Sequence, residues 1–477
     1  MKNFEKVYID GQWVSSQGNE TLDVINPANG EVCASVPAAN KQDVNLAVDA
    51  AKKAFLAWSS QPSEARAALI NAIADGMQAR KDELIQAIVA TMGCPIAIAE
   101  DLQVQGSIDA LRSFAVLALE MDKEEVFDSH IVVSEAIGVC VLINPWNYPL
   151  SQLVGKLGPA LAAGCTVVVK PAEQTPLQDL ILADIINQTE LPKGVFNLLT
   201  GVGSQIGEAL SSHPDVDMVS FTGSTQAGIK VAQAAAPSVK RVCQELGGKS
   251  PYIIAPGADL EAAVRYGVED VMLNSGQTCS SLTRMLVPAS QLTEVETIAK
   301  TVAAEWKLGD PMLADTNMGP LSSHQQQSRV LAYIKKGIEE GAKLLCGGTK
   351  LAPEFSKGAY VAPTIFSHVS NDMIIAKEEI FGPVLCIIPY ENIEQAIVIA
   401  NDTPFGLASA VYAKDSSEAI KIARQLRAGQ CYLQGAYFNS DAPFGGYKQS
   451  GNGREWGLEG LKEYTETKAL LIDSTDQ

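Results

Sequence analysis

Hydrophobic and polar positions follow two different rhythms along the chain. Near the N-terminus, Val7-Tyr8-Ile9 and Gln12-Trp13-Val14 flank Asp10-Gly11, a pair that readily takes the positive φ angles of a tight turn, so a β-hairpin is expected. Ala, Leu and Ile then recur every three or four positions across 41–57, 63–91 and 96–120 with charges between them, which predicts amphipathic helices. From Ile137 the rhythm changes to short apolar strands separated by helical stretches: Gly138–Ile143, Thr166–Val169, Val195–Leu198, Met218–Phe221 and Tyr252–Ile254. Repeated βαβ units of this kind build a mostly parallel sheet with helices on both faces. A second series begins near Asp259, with helices at 259–273, 291–306, 323–340, 392–401 and 415–427 and strands at Met285–Val287, 384–389 and 430–433. The expected fold class is therefore α/β, with two doubly wound parallel-sheet domains. Phe127–Glu135 and Thr465–Ile472 alternate apolar with polar but stand apart from both series. They read as edge strands that pair with each other and with another subunit.

Composition narrows the class. A chain of 477 residues exceeds one ordinary core, and 47% hydrophobic against 19% charged residues describes a folded globular protein. The 36 Lys and Arg against 55 Asp and Glu give a net charge of −19, which repels phosphate backbones and anionic lipid, so neither nucleic acid nor membrane is an expected partner. The apolar stretch Leu157–Val169 is interrupted by Gly158 and Pro159 and falls short of the roughly 20 residues of a membrane span. Residues Met1–Asp10 lack the apolar run of a signal peptide. Nine cysteines, from Cys33 to Cys431, show no C-x-x-C pair, which reads as reduced thiols in the cytoplasm. The four histidines, His130, His213, His324 and His368, lie in no segment that resembles a site, so neither a histidine triad nor a metal centre is expected.

Three segments carry chemistry. In Asn274-Ser275-Gly276-Gln277-Thr278-Cys279-Ser280, small and polar residues surround a thiol that follows a helical stretch. A lone cysteine is more often a buried small apolar side chain. In Glu245-Leu246-Gly247-Gly248-Lys249-Ser250-Pro251, a carboxylate at a strand end precedes two glycines that permit a tight turn. In Asn144-Pro145-Trp146-Asn147-Tyr148-Pro149, at the carboxyl end of the first parallel strand, an amide stands where open α/β sheets bind ligands. Taken singly, that Glu reads as a solvated loop acid and that Asn as a turn residue.

Together these segments resemble the aldehyde dehydrogenase superfamily nearly end to end. Matching segments in the family's order are Lys170-Pro171-Ala172-Glu173-Gln174-Thr175-Pro176, Phe221-Thr222-Gly223-Ser224-Thr225, Glu378-Glu379-Ile380-Phe381-Gly382-Pro383-Val384 and Pro443 to Gly451. The resemblance implies a division of the chain: 1–124 and 140–246 as an NAD-binding domain, 247–450 as a catalytic domain, and 125–139 with 451–477 as a small β oligomerisation arm of a homodimer or homotetramer.

It also implies roles. Cys279, as thiolate, attacks the aldehyde carbon; Asn147 and the Cys279 N–H hold the oxyanion; Glu245 activates the water that opens the thioester. Lys156 and Glu455 match family positions that resemble a proton relay behind Glu245, against the plainer reading of a structural ion pair. For the cofactor, the stretches Gly201–Gly207 and Gly223–Gly228 open helices in a way that suits pyrophosphate, without forming G-x-G-x-x-G. The resemblance implies Ser224, with Trp146, Gly203, Gly223, Gly228 and Leu246, on the cofactor. It further implies Lys170 and Glu173 near the adenosine ribose, and Glu379 and Phe381 near the nicotinamide ribose. A Glu173 carboxylate repels a 2′-phosphate, so NAD is expected over NADP as the weaker alternative. Tyr148, Gln152, Ser280, Tyr437 and Phe438 are expected to line the entrance of a medium-sized apolar or aromatic aldehyde. Gln434 departs from the Asn of many relatives and puts the following loop in doubt. The alternatives are a CoA-acylating semialdehyde dehydrogenase, against which Glu245 argues, and a catalytically silent NAD-binding or structural relative.

Overall fold

The structure is a computed structural model, and it describes residues 2–473; Met1 and residues 474–477, which end the segments assigned above, lie outside the described residues. Its centre is an eight-stranded sheet whose five middle strands run parallel, in the order Arg241–Glu245, Met218–Thr222, Val139–Ile143, Thr166–Lys170 and Phe196–Leu198. Val139–Ile143 and Thr166–Lys170 are buried at every position, as strands covered on both faces must be, and this explains their unbroken apolar runs. The N-terminal hairpin adds two antiparallel strands to one edge, with Asp10 (φ 52) and Gly11 (φ 69) in its turn as expected.

A second sheet holds seven strands in the order Lys343–Cys346, Thr364–Ser367, Val384–Tyr390, Arg284–Pro288, Pro251–Ile254, Ala408–Tyr412 and Gln430–Leu433, parallel except for the first. Tyr252–Ile254, which the pattern puts in the first series, is thus a central strand of the second sheet. An apolar run reports burial and does not say which sheet buries it. Lys343–Cys346, Thr364–Ser367 and Ala408–Tyr412 went unforeseen, as did the small sheet of Lys2–Asn3, Val32–Ala38 and Glu20–Ile25. All are short, and several lack strict alternation.

Two long helices are interrupted. Residues 63–91 form Ser63–Ala79 and Lys81–Met92, broken at Arg80 (φ −114), whose guanidinium bonds Glu83 at 2.8 Å and Asp184 at 2.6 Å. The apolar period runs on across the break because both helices bury a face in one core. Residues 96–120 contain a π-helical insert, Ala99–Gln105, ahead of the helix Gly106–Leu117. Such inserts re-aim side chains and recur at functional sites.

Thr465–Leu471 pairs antiparallel with His130–Ala136, which itself turns back on Glu125–Phe127. Gly451–Asn452, grouped by sequence with this arm, instead pairs with Gln244 and Glu245 at the edge of the first sheet. That pairing carries Glu455 back into the centre of the molecule. No helix among the described residues is long and apolar enough to cross a membrane.

Candidate active site

The chain passes from the first sheet to the second between Glu245 and Pro251. Two glycines make the passage tight: a Cβ on Gly247 would stand 2.3 Å from Glu379 Oε2, and one on Gly248 2.5 Å from the Cys279 carbonyl oxygen. The thiol arrives on a strained loop. After the helix Leu260–Met272 the backbone places Asn274 (φ 53), Ser275 (φ 55) and Gly276 (φ 73) in the left-handed region consecutively. For the two non-glycine residues this costs about 1–3 kcal/mol each. The surroundings impose it: Asn274 Nδ2 donates to Asn147 O at 3.0 Å, Ser275 Oγ to Gly319 O at 2.8 Å, and Ser322 N to Gln277 Oε1 at 2.8 Å. Cys279 is thereby fixed against the first sheet.

Two cavities meet at this sulfur. One, of 190 Å³, is walled by Trp146, Asn147, Gly223, Ser224, Glu245, Leu246, Glu379 and Phe381. The other, of 450 Å³, is walled by Tyr148, Gln152, Ser280, Tyr437 and Phe438 among others. Among the described residues Cys279 alone lines both. Lys170, Glu173 and Gly203 form a separate group: Lys170 Nζ lies 3.7 Å from Glu173 Oε2, and the Glu173 carboxylate accepts from the Gly203 N–H. Gly228 lies under Leu246, where a Cβ would come within 2.6 Å of its side chain.

Behind Glu245, Lys156 Nζ is fully buried, 2.8 Å from Glu455 Oε1, and donates to Thr222 Oγ1 at 2.7 Å. Both Glu245 carboxylate oxygens are buried without a hydrogen-bond partner. Burial, reinforced by the neighbouring Glu455 charge and partly offset by Lys156, holds the Glu245 carboxyl well above the usual carboxylate range. Burial, then the Glu245 and Glu379 charges, push the Cys279 thiol up to about 12. This enclosed and acidic setting disfavours a negative charge on the resting sulfur. Asn147 Nδ2 donates to Gln277 O at 2.9 Å, which engages one amide hydrogen and leaves the second for a ligand oxygen.

Several lining residues escaped the sequence reading. Gln326 and Arg329 face the smaller cavity, and Gln326 Nε2 donates to Phe381 O at 2.8 Å. That bond supports the left-handed backbone of Phe381 (φ 62), whose ring meets Trp146 edge-on at 5.3 Å. Tyr266, Asp270, Tyr432 and Trp456 line the larger cavity, as do Asp101 and Leu102 of the π-helical insert. Tyr266 and Asp270 stand one helical turn apart on the helix leading to the Cys279 loop, a spacing that could have revealed them. The doubt over Gln434 resolves locally: its amide accepts from Ala413 N at 2.7 Å and donates to Ala413 O at 2.9 Å, extending the sheet by one mock residue.

The family model described as the aldehyde dehydrogenase family matches residues 13–470. A 3-succinoylsemialdehyde-pyridine dehydrogenase from Pseudomonas sp. is 47% identical over 99% of this chain and 99% of its own length. Aldehyde dehydrogenase C of Pseudomonas syringae, a cysteine-to-alanine mutant solved with NAD+ and octanal, superposes with a TM-score of 0.97 at 48% identity, covering 98% of this chain and 96% of that one. A Mycobacterium tuberculosis aldehyde dehydrogenase complexed with NAD+ gives a TM-score of 0.96 at 40% identity over 99% of each chain. With a cysteine at the junction of two cavities and matches running almost from end to end, this chain belongs to the aldehyde dehydrogenase family.

Proposed function

We propose that this enzyme oxidises an aldehyde to the free carboxylic acid through a thioester on Cys279, with NAD as cofactor. The observation that carries the reading is the position of Cys279 as the single residue, among the described ones, common to both cavity walls, so that cofactor and aldehyde reach one sulfur from opposite sides. The smaller cavity fits NAD. Ser224 caps the helix Thr225–Ala235, whose first N–H groups have no partner within the helix and suit pyrophosphate. Trp146 and Phe381 offer apolar walls, and Glu379 offers a carboxylate to a ribose. When bound, oxidised NAD supplies a hydride acceptor and a positive ring charge.

The chain's own groups do the rest. Cys279 loses its proton towards Glu245 as it attacks the carbonyl, which spares the enclosed site a free thiolate. The oxyanion of the thiohemiacetal is held by the free hydrogen of the Asn147 amide and by the Cys279 N–H, donors of a kind that contribute roughly 3 kcal/mol each. The Lys156–Glu455 pair carries the thiol proton away from Glu245, so that once the adduct is a thioester the freed carboxylate takes a proton from water and passes it along the same route. Glu173 sets NAD above NADP by repelling a 2′-phosphate. The relatives that carry octanal or are named for a pyridine semialdehyde, together with the aromatic wall, support a medium-sized apolar or aromatic substrate. Nine free cysteines support a reducing, cytoplasmic setting. The open edge of Thr465–Leu471 supports assembly with further copies into a dimer or tetramer. The proposed division is NAD-binding 1–124 and 140–246, catalytic 247–450, and an arm at 125–139 and 451–477, from which Gly451–Asn452 departs by pairing at the edge of the first sheet.

The test is turnover of an aldehyde panel with NAD, with NADH followed by absorbance and products identified with and without CoA. Free acid in both conditions supports the reading; acyl-CoA as the product replaces it with the acylating reaction, and absence of NADH with every aldehyde overturns it.

A further inference from the structure

The larger cavity has one chemical peculiarity. Its walls are aromatic, yet the charged residues on them are Asp101 and Asp270, with no lysine or arginine among the described lining residues. Asp270 lies two residues from the end of the helix Leu260–Met272, where the helix dipole disfavours a carboxylate. Its Oδ2 accepts from Leu282 N at 2.7 Å, and no ion pair engages it among the described residues. Half-buried, it forms part of the cavity wall. The nearest tyrosines direct their hydroxyls elsewhere: Tyr266 donates to Ala436 O at 2.7 Å and Tyr432 to Gln430 Oε1 at 2.7 Å. What they leave to a ligand is ring surface, which attracts cations.

We propose that Asp270 is a specificity-determining residue which makes this enzyme prefer aldehydes bearing a cationic nitrogen at the end remote from the carbonyl, and discriminate against aldehydes ending in a carboxylate. This rests on the larger cavity being the aldehyde site, and it narrows the apolar or aromatic aldehyde proposed for that cavity to one whose apolar body ends in a cation. An ammonium group gains both a carboxylate that no cation among the described residues neutralises and the ring faces; a carboxylate meets repulsion from Asp270 in a partly water-excluded space, where Coulomb terms are strong. Burial pushes the Asp270 carboxyl up to about 6, so the discrimination belongs to neutral and alkaline pH and fades in acid. The other titratable groups facing Asp270 are Tyr148, Tyr252, Tyr266, Tyr432, Tyr437 and Cys279, all held above their ordinary values and neutral throughout, and Asp101.

The experiment compares kcat/KM for three straight-chain aldehydes of one length, ending in methyl, trimethylammonium or carboxylate, in the wild-type enzyme and in Asp270→Asn. The expected order is ammonium, methyl, carboxylate, and in Asp270→Asn the ammonium-to-carboxylate ratio falls by about tenfold or more. In the wild type the ammonium-to-methyl ratio rises as pH is raised through about 6; this measurement holds even if the variant does not fold. A wild-type order with carboxylate first, or a flat ratio across that pH range, overturns the proposal while leaving aldehyde oxidation intact. An unchanged ratio in a folded variant does the same. Loss of turnover with all three aldehydes in the wild type removes the underlying reading as well.

Discussion

The two cavities that meet at Cys279 are made differently. The smaller is built from strand ends and glycine turns of the first sheet: Asn147 after Val139–Ile143, Gly223 after Met218–Thr222 and Glu245 closing Arg241–Glu245. The larger is built from helix faces, a π-helical insert and the loop around 436–444. Strand ends in a parallel sheet are placed by the hydrogen-bond ladder of their neighbours, whereas helix faces and loops change composition without disturbing it. The difference teaches that Asn147 and Glu245 are anchored on the sheet, while the residues proposed to meet the substrate stand on the attachments.

The sharpest way to break this contrast is at the junction. Cys279→Ala is expected to lower kcat/KM by on the order of 10⁴-fold while NAD still binds, measured by turnover and by cofactor titration; residual turnover near the wild-type rate would remove the sulfur from the mechanism. Glu245→Gln is expected to lower kcat by about 10²- to 10³-fold and to accumulate an acyl-enzyme visible by intact mass. The sign with pH follows from the raised Glu245 value. The acid must lose its proton to act as base, so wild-type kcat climbs with pH above the usual carboxylate range, and the Gln variant lacks that limb.

On the cofactor side, Glu173→Gln removes the charge that faces a 2′-phosphate, and kcat/KM with NADP should rise relative to NAD by about tenfold. An unchanged ratio would assign cofactor choice to another residue. The smallest effect is expected at the larger cavity's margin. Gln434→Asn is too short to keep both bonds to Ala413, and thermal unfolding should report a loss of about 1–2 kcal/mol with the aldehyde reaction retained.

Much of the site was legible in the chain because its residues sit in contiguous segments fixed to strand ends. Asn147, Glu245 and Cys279 share the smaller cavity although they lie far apart in sequence, and Tyr148, Gln152, Ser280, Tyr437 and Phe438 share the larger. Asp270 and Tyr266 were hidden inside an amphipathic helix, where a polar or aromatic position reads as surface or core. Gln326 and Arg329 came from a helix whose register towards Phe381 no local pattern records. The break at Arg80 and the π-helical insert were missed because both preserve the apolar period that predicts a helix.

By itself the sequence determined the α/β class, the alternation of strand and helix, and the residue types available for attack, oxyanion binding and water activation, since these follow from local periodicity and side-chain chemistry. Tertiary structure alone decided that Tyr252–Ile254 joins the second sheet, that Gly451–Asn452 returns Glu455 to Lys156, and that burial beside Glu245 raises the proton affinity of the thiol. Sheet membership, cavity walls and proton affinity all depend on which distant segments exclude water from a given atom, and that exclusion exists only once the chain has closed upon itself.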